Sequence, residues 1–264
     1  MSNPPAKQNR YSAVLEHVFY QHYQAGMTRV PFSRDELVAA ATTLGIVPPK
    51  NTGDILYSPR YRTGLPASII ATQPEGMEWI IEGVGKGQYA FKLVKFHRVV
   101  PRTDLATISI PDATPELIVK YAQGDEQALL AKVRYNRLVD IFLGLTTYSL
   151  QNHLRTTLET GSQIEIDELY IGLDKHGCHY VIPVQAKGGT DQASVVQTAQ
   201  DLQCCAEKFP GIRCRALSTQ FMGDDRIVMF ELAIQDDEVK VVEEKHYKLV
   251  PADALDQAAI RSYR

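Results

Sequence analysis

Cysteine and tryptophan are scarce in this sequence of 264 residues, which has four cysteines and one tryptophan. No two cysteines have the C-x-x-C spacing typical of structural zinc sites, so a zinc module of that kind is not predicted. The sequence also lacks an apolar run of about 18 residues and an apolar segment near its N-terminus, so neither a membrane-spanning helix nor export is predicted. We therefore expect a cytoplasmic protein without a membrane partner.

The composition is that of a globular protein, with 44% hydrophobic and 22% charged residues. The net charge of -3 gives no support for nucleic-acid binding by the chain as a whole. The charge is unevenly distributed, however, because residues 46–102 contain eight basic and four acidic side chains, whereas the remainder contains 20 basic and 27 acidic ones. This asymmetry predicts that residues 46–102 face an anionic partner.

The N-terminal part has the pattern of three helices followed by a hairpin. Apolar spacing predicts a helix over Tyr11–Gln24, and Ser33 with Glu36 forms a capping box that begins a second helix. A third, short helix is predicted from Asn51 through Tyr57, and a glycine-rich turn at residues 85–87 joins two alternating strands. This order is typical of a winged helix, which binds DNA, although small helix–hairpin units also serve as oligomerisation or lid modules.

From Val133 the pattern changes to that of an α/β fold. A long helix is predicted up to Gly161, with Leu143, Leu150, Leu154 and Leu158 on one side. Strands are predicted at Gln163–Leu173, Tyr180–Lys187, Ile212–Phe221, Ile227–Gln235 and Val239–Val250, with a helix at Ala193–Lys208. We therefore expect a mixed central sheet flanked by helices in residues 133–264. Residues 1–132 are expected to form the winged-helix-like domain and a connection, with one short helix in residues 104–132.

Candidate chemistry is concentrated on two of the predicted strands. Side-chain alternation places Glu165 and Asp167 on one face of the first strand, and Gln185 and Lys187 on one face of the second. A turn between the strands predicts a hairpin that brings these faces together. Asp167 and the Gln185 oxygen are hard ligands suited to Mg²⁺, and Lys187 is suited to orienting or deprotonating water in phosphodiester hydrolysis. The alternative is a cross-strand ion pair on a solvated face of the sheet.

The residues Glu165-Ile166-Asp167 followed by Gln185-Ala186-Lys187 resemble the D…(D/E)xK signature of the PD-(D/E)xK nuclease superfamily, in which Gln sometimes replaces the second acid. The resemblance covers residues 133 to about 235. Residues 50–62, with Leu65-Pro66 after them, also resemble the target-binding part of restriction-endonuclease-like proteins. The resemblance implies a type II restriction-like endonuclease that cleaves double-stranded DNA with Mg²⁺, or with Mn²⁺, and usually acts as a homodimer.

The resemblance also implies roles for individual residues. Asp167 corresponds to the central metal ligand, Gln185 to the second ligand and Lys187 to the catalytic cation. A further acid or Gln is expected from the helix before the first strand, and the candidates are Gln151 and Glu159, although the alternative for either is a core-edge amide or a solvated cap residue. Glu165 on the first strand is another candidate. The expected DNA contacts are Lys50, Asn51, Arg60, Arg62 and Lys86, with arginine suited to phosphates and guanine edges.

Two departures from the family pattern keep a second function open. No proline precedes Asp167, and the strict acid of the second motif is replaced by Gln185. The alternative function is therefore a DNA-binding regulator or assembly protein that retains the nuclease fold and does not cleave DNA.

Overall fold

The structure is a computed structural model, and it describes residues 10–61, 64–95, 98–121, 126–188, 191–255 and 257–262. Backbone contacts divide the chain into two compact units. The first comprises residues 1–97 together with 157–162, and the second comprises residues 98–156 together with 163–264. No helix within the described ranges is both long enough and apolar enough to cross a membrane.

The first unit combines short helices with a small antiparallel sheet. Its elements are helix α1 (Arg10–His22), strand β1 (Arg29–Ser33), helices α2 (Arg34–Thr43), α3 (Gly53–Tyr61) and α4 (Ala67–Ile70), and strands β2 (Glu78–Gly85) and β3 (Gln88–Val94). The sheet order is β1-β3-β2. The predicted helices and hairpin are confirmed, but the sequence patterns missed β1 and α4, and α3 continues past Tyr57.

Strand β1 was missed because it is short and contains Pro31, which cannot donate a backbone hydrogen bond. The strand lies at the edge of the sheet, where a missing donor is tolerated. Val30 and Phe32 alternate with exposed neighbours and are buried, so β1 contributes to the core despite its length.

Phe19 lies at the centre of the first unit's core. It is fully buried on α1, and its ring stacks on Tyr23 with a centroid distance of 4.6 Å. It also makes edge contacts with Trp79 at 5.4 Å and Phe91 at 5.0 Å, which join the helix to the β2–β3 hairpin. Aromatic pairs of this geometry add to the stabilisation from buried area.

The second unit contains most of the β-structure. Its elements are strands β4 (Arg98–Val99) and β5 (Thr107–Pro111), helices α5 (Glu116–Tyr121), α6 (Glu126–Tyr135) and α7 (Leu138–Leu143), strands β6 (Thr146–Thr157), β7 (Gln163–Leu173), β8 (His179–Lys187) and β9 (Ala193–Ser194), helix α8 (Val195–Lys208), strands β10 (Arg213–Cys214), β11 (Ala216–Phe221), β12 (Arg226–Gln235) and β13 (Glu238–Val250), the 3₁₀ helix Ala252–Ala254 and helix α9 (Gln257–Ser262).

The large sheet is mixed, as the sequence predicts. Its order is β5-β13-β12-β11-β8-β7-β6, and β10 also pairs with β8. Strand β8 is antiparallel to β7 and parallel to β11. Leu129 of α6 and Phe142 of α7 pack with Tyr170 in one core cluster, whereas Cys205 of α8 packs with Leu169 in another. Because Leu169 and Tyr170 point to opposite faces, helices flank the sheet on both sides.

The prediction of one long helix over residues 133–161 was wrong. Helix α7 ends at Leu143, its C-cap Gly144 has a positive φ of 66°, and β6 follows. The four-residue spacing of Leu150 and Leu154 is typical of one face of a helix. Both residues nevertheless lie on β6, and Leu150 is exposed. Glycine after α7 and threonines at both ends of β6 are the local signals that favour the observed structure.

The expectation of a connection with one short helix in residues 104–132 was also wrong. This segment holds β5, helix α5 and the start of α6, and β5 pairs in parallel with β13 in the large sheet. The expected domain boundary after residue 132 therefore lies inside α6, whereas the compact units divide near residue 97.

The capping box at the start of α2 is confirmed and can be tested. The Glu36 N–H donates to Ser33 Oγ, and the Ser33 N–H donates to Glu36 Oε2 over 2.7 Å. We expect Ser33→Ala to lower the free energy of unfolding by about 1 kcal/mol, because it leaves an N–H at the helix start without its acceptor.

Urea denaturation of the two proteins measures this difference. Thr42→Ala on the same helix is the matched control, since the Thr42 hydroxyl only donates to the Val38 carbonyl within the helix. Equal effects of the two substitutions would show that the cap does not stabilise α2.

Candidate functional site

Strands β7 and β8 form the hairpin that the sequence predicts. Asp174 holds the turn between them, and its Oδ1 accepts from the N–H of His176 at 2.8 Å and of Cys178 at 2.9 Å. Backbone pairing extends from this turn to Glu168, which lies opposite Val184. Because side chains alternate along a strand, this register fixes the face on which each following residue lies.

Beyond Glu168, side chains bind the backbone of the opposite strand. The Ala186 N–H donates to Asp167 Oδ2 over 2.8 Å, and Gln185 Nε2 donates to the Glu165 carbonyl over 2.9 Å. The two predicted strands thus bring Asp167 and Gln185 to the same end of the hairpin. They also tie both side chains to the backbone, which restricts their rotation.

Gln185 is buried, with 4% of its surface exposed, and its amide is engaged on both sides. Nε2 also donates to Asp201 Oδ2 over 3.0 Å, and Oε1 accepts from Gln197 Nε2 over 2.8 Å. The side chain therefore links β7, β8 and α8. Its oxygen, which the sequence assigned to a metal ion, contacts Gln197 in this arrangement.

Asp201 on α8 is a site residue that the sequence analysis missed. It is 2% exposed, and its Oδ1 has no hydrogen-bond partner among the described residues. Burial raises the pKa of Asp201 well above its usual value, and the Gln185 hydrogen bond only partly opposes this. The sequence does contain a signal for Asp201, which follows Gln197 by four positions. Residues four apart lie on the same face of a helix.

Asp167 and Lys187 lie close enough to influence each other electrostatically. Burial raises the pKa of Asp167, and the neighbouring Glu165 charge adds to this effect. The Ala186 N–H and the Lys187 ammonium act in the opposite direction without cancelling it. Asp167 is partly buried and accepts from the Ala186 N–H, so its carboxyl is not wholly solvated.

Glu126, the first residue of α6, is a second acid that the sequence analysis missed. A Cβ placed on Gly188 would lie 3.7 Å from Glu126 Cγ, so the acid packs beside the end of β8. Burial raises the pKa of Glu126, Lys187 lowers it, and Asp167 and Asp191 raise it further. Glu126 therefore belongs to the same electrostatic group as Asp167.

The three additional candidates from the sequence have separate environments. Gln151 is exposed on β6, and Glu159 lies in the turn after β6 that groups with the first unit, so their expected position on a helix was wrong. Glu165 pairs with His153 at 3.2 Å and with Arg155 at 3.1 Å. Burial of Glu165 opposes its ionisation, but these two partners outweigh burial and lower its pKa.

The predicted DNA contacts lie in the first unit. Lys50 is exposed, and Lys86 is exposed at the turn between β2 and β3. Asn51 caps α3, because its Oδ1 accepts from the first N–H of that helix over 3.1 Å. Arg62 and the side chain of Arg60 lie outside the described part of the chain, although the Arg60 backbone belongs to α3.

The donor set fits a hard divalent cation bound by few protein ligands. In the described ranges no group of three or more His, Cys, Asp or Glu side chains is arranged to hold a metal ion. Asp167 and Asp201 nevertheless supply two carboxylates beside the Gln185 amide, and Asp201 Oδ1 is buried without a described partner. Mg²⁺ typically binds one or two carboxylates and completes its octahedral shell with water and phosphate oxygens.

The pH dependence of stability tests the burial of Asp201. A raised pKa in the folded state stabilises the fold below the unfolded pKa of about 3.9, and this contribution is lost as the pH rises through the folded pKa. Asn is neutral at every pH and retains an oxygen for Gln185 Nε2. We therefore expect Asp201→Asn to raise the Tm at pH 7 without added metal, and the difference to shrink below about pH 4.

Asp174→Asn is a matched control with the opposite sign. Hydrogen bonds from the Cys178 and His176 N–H groups lower the pKa of Asp174 in the folded state. Its stabilisation is present above the unfolded pKa and is lost as the pH falls through the folded pKa. Thermal denaturation should give a lower Tm for Asp174→Asn at pH 7. A pH-independent Tm difference in Asp201→Asn would contradict the burial effect.

Comparisons with family models, with curated proteins and with solved structures gave no match. A function for this chain is therefore inferred from the arrangement of Asp167, Gln185, Lys187, Asp201 and Glu126.

Proposed function

We propose that this chain is a metal-dependent endonuclease of the restriction type, of the PD-(D/E)xK class, that hydrolyses phosphodiester bonds in double-stranded DNA. The observation that carries the proposal is the gathering of Asp167, Gln185 and Lys187 at one end of the β7–β8 hairpin. Clusters of ionisable groups with pKa values shifted by burial are enriched at functional sites.

Asp167 and an oxygen from the Gln185–Asp201 pair would hold Mg²⁺. When bound, the ion would polarise the scissile phosphate and lower the pKa of a bound water. Lys187 would orient the attacking water and balance the negative charge that develops on the phosphate. The hydrogen bond from Ala186 fixes one oxygen of Asp167, which leaves its other oxygen for the cation.

Glu126, beside the end of β8, supports the same proposal. Its carboxyl is coupled to both Lys187 and Asp167, so it can hold Lys187 in place or bind a water of the cation's shell. Glu126 would then be the additional site residue for which the sequence offered Gln151, Glu159 and Glu165 as candidates.

DNA binding by the first unit is the second part of the proposal. The helices α1, α2 and α3 followed by the β2–β3 hairpin support a winged-helix-like reader. The exposed Lys50 and Lys86 would contact phosphates, together with Arg60 and Arg62. A homodimer would suit a palindromic target, because two-fold symmetry in the protein matches two-fold symmetry in the DNA.

The alternative is a DNA-binding regulator that retains this site without cleaving DNA. The observation that favours it is the Gln185 amide, which is neutral and engaged by Gln197 and Asp201. A site with a neutral amide in place of the usual acid holds a divalent cation more weakly.

Cleavage assays with site variants separate the two functions. We expect purified protein to cut unmethylated plasmid and phage DNA into discrete fragments with Mg²⁺ and not with EDTA. Asp167→Ala and Lys187→Ala should each lower the cleavage rate by at least about a hundredfold, since each removes a group that acts on the reacting atoms. Electrophoretic shift assays should show that both variants still bind DNA.

Lys175→Ala is the matched control, because Lys175 is an exposed cation in the turn of the same hairpin. Cleavage that persists in Asp167→Ala or Lys187→Ala would remove this site assignment. DNA that is bound with a steep salt dependence but left intact with both Mg²⁺ and Mn²⁺ would favour the regulator.

A further inference from the structure

We propose that Asp201, and not Gln185, supplies the second protein ligand of the divalent cation, with Gln185 as the residue that positions Asp201. This inference rests on the proposed function, and it assigns a ligand on α8 to a role that the sequence motif places on β8.

Gln185 uses both ends of its amide in hydrogen bonds. A Gln side chain has two N–H donors and one carbonyl oxygen. Both donors are used, by the Glu165 carbonyl and by Asp201 Oδ2, and the oxygen accepts from Gln197. Rotating the amide to offer its oxygen elsewhere would break contacts with β7 and α8 together, so the observed arrangement suits a structural link between elements.

Among the described residues, Asp201 uses only one of its two carboxyl oxygens in a hydrogen bond. Its Oδ2 accepts from Gln185, whereas Oδ1 has no hydrogen-bond partner among the residues described. Only 2% of the residue is exposed. Buried polar atoms are almost always paired, and an unpaired one often marks a functional role or a position where water or an ion can bind. A cation would satisfy this oxygen directly.

Asp201 also lies close to the other site residues. It accepts from Gln185 Nε2, and the next residue on β8, Ala186, donates its N–H to Asp167 Oδ2, so both carboxyl groups lie at the same end of β8. When two carboxyl groups share a site, their repulsion favours either protonation of one of them or the binding of a cation between them. The chemistry of the set therefore fits a hard divalent cation such as Mg²⁺ or Mn²⁺.

The side chains also provide a reason for neutral Gln185. A carboxylate at position 185 would face Asp201 Oδ2 directly and would add a third negative charge to the pair. An amide instead donates to that oxygen and orients the carboxylate. The acid missing from β8 is thus compensated by an acid on α8, which the helix places over the same strand.

Titration of the full-length protein with Mn²⁺ in the absence of DNA tests this inference, with free Mn²⁺ measured by electron paramagnetic resonance. We expect Asp201→Asn to weaken Mn²⁺ binding by at least about tenfold. Asn is nearly isosteric and keeps an acceptor for Gln185, so the variant should fold. Asp174→Asn, in the turn of the hairpin, is the control and should bind Mn²⁺ like the wild type.

The role of Gln185 is tested by non-additivity. We expect Gln185→Met to weaken Mn²⁺ binding as well, because Asp201 loses its hydrogen bond, but to cause no further loss when combined with Asp201→Asn. An independent Gln185 ligand would instead give a double variant whose loss is the product of the two single losses, and this result would overturn the proposal.

Unchanged Mn²⁺ affinity in Asp201→Asn would also overturn it, as would a wild type that fails to bind Mn²⁺ at millimolar concentration. Different results would contradict the proposed function, namely cleavage that survives Asp167→Ala or DNA that stays intact with the wild-type protein. The two experiments therefore separate an error in the ligand assignment from an error in the function.

Discussion

The register of the β7–β8 pair is the constraint on which the site depends. Asp167 and Glu168 are adjacent in sequence and lie on opposite faces of the sheet, so a slip of one residue would exchange them. Glu168 is fully buried, and its Oε1 accepts from Arg134 Nε and Ser149 Oγ, each over 2.8 Å. Such a buried carboxylate is costly without its partners. The pairing of Glu168 on one face therefore helps to hold Asp167 on the other.

Helix α8 determines the electrostatic environment on the face of the sheet that carries Asp167. It packs on β7 and β8 beyond Glu168, where side chains bind the backbone of the opposite strand. There it places Asp201 and Gln197 in contact with Gln185. Burial is the largest cause of the raised pKa at Asp167 and Asp201. The exposed Arg102–Asp104 pair shows the opposite behaviour, because its hydrogen bond lowers the pKa of Asp104. The carboxyl pKa values are thus raised at Asp167 and Asp201, whereas the pKa of the acid in the exposed ion pair is lowered.

Much of the fold could be predicted because its signals are local. The capping box at Ser33, the glycine-rich turn at residues 85–87 and the alternation in β7 and β8 each act within a few residues. Strand β6 could not be predicted in this way, since its leucines fit a helical period and its strand conformation depends on pairing with β7. Strand β5 is similar, because it is a strand through its pairing with β13, more than a hundred positions later in the sequence.

The strand faces on which Asp167, Gln185 and Lys187 lie follow from the sequence alone, because side chains alternate along a strand whatever surrounds it. The sequence also determined the helix that carries Asp201, from apolar spacing alone. Tertiary structure decided which other acids join them. Asp201 and Glu126 approach the hairpin only after α8 and α6 pack on the sheet, and desolvation on packing sets their raised pKa values. Burial depends on the whole fold, and no motif in the sequence records it.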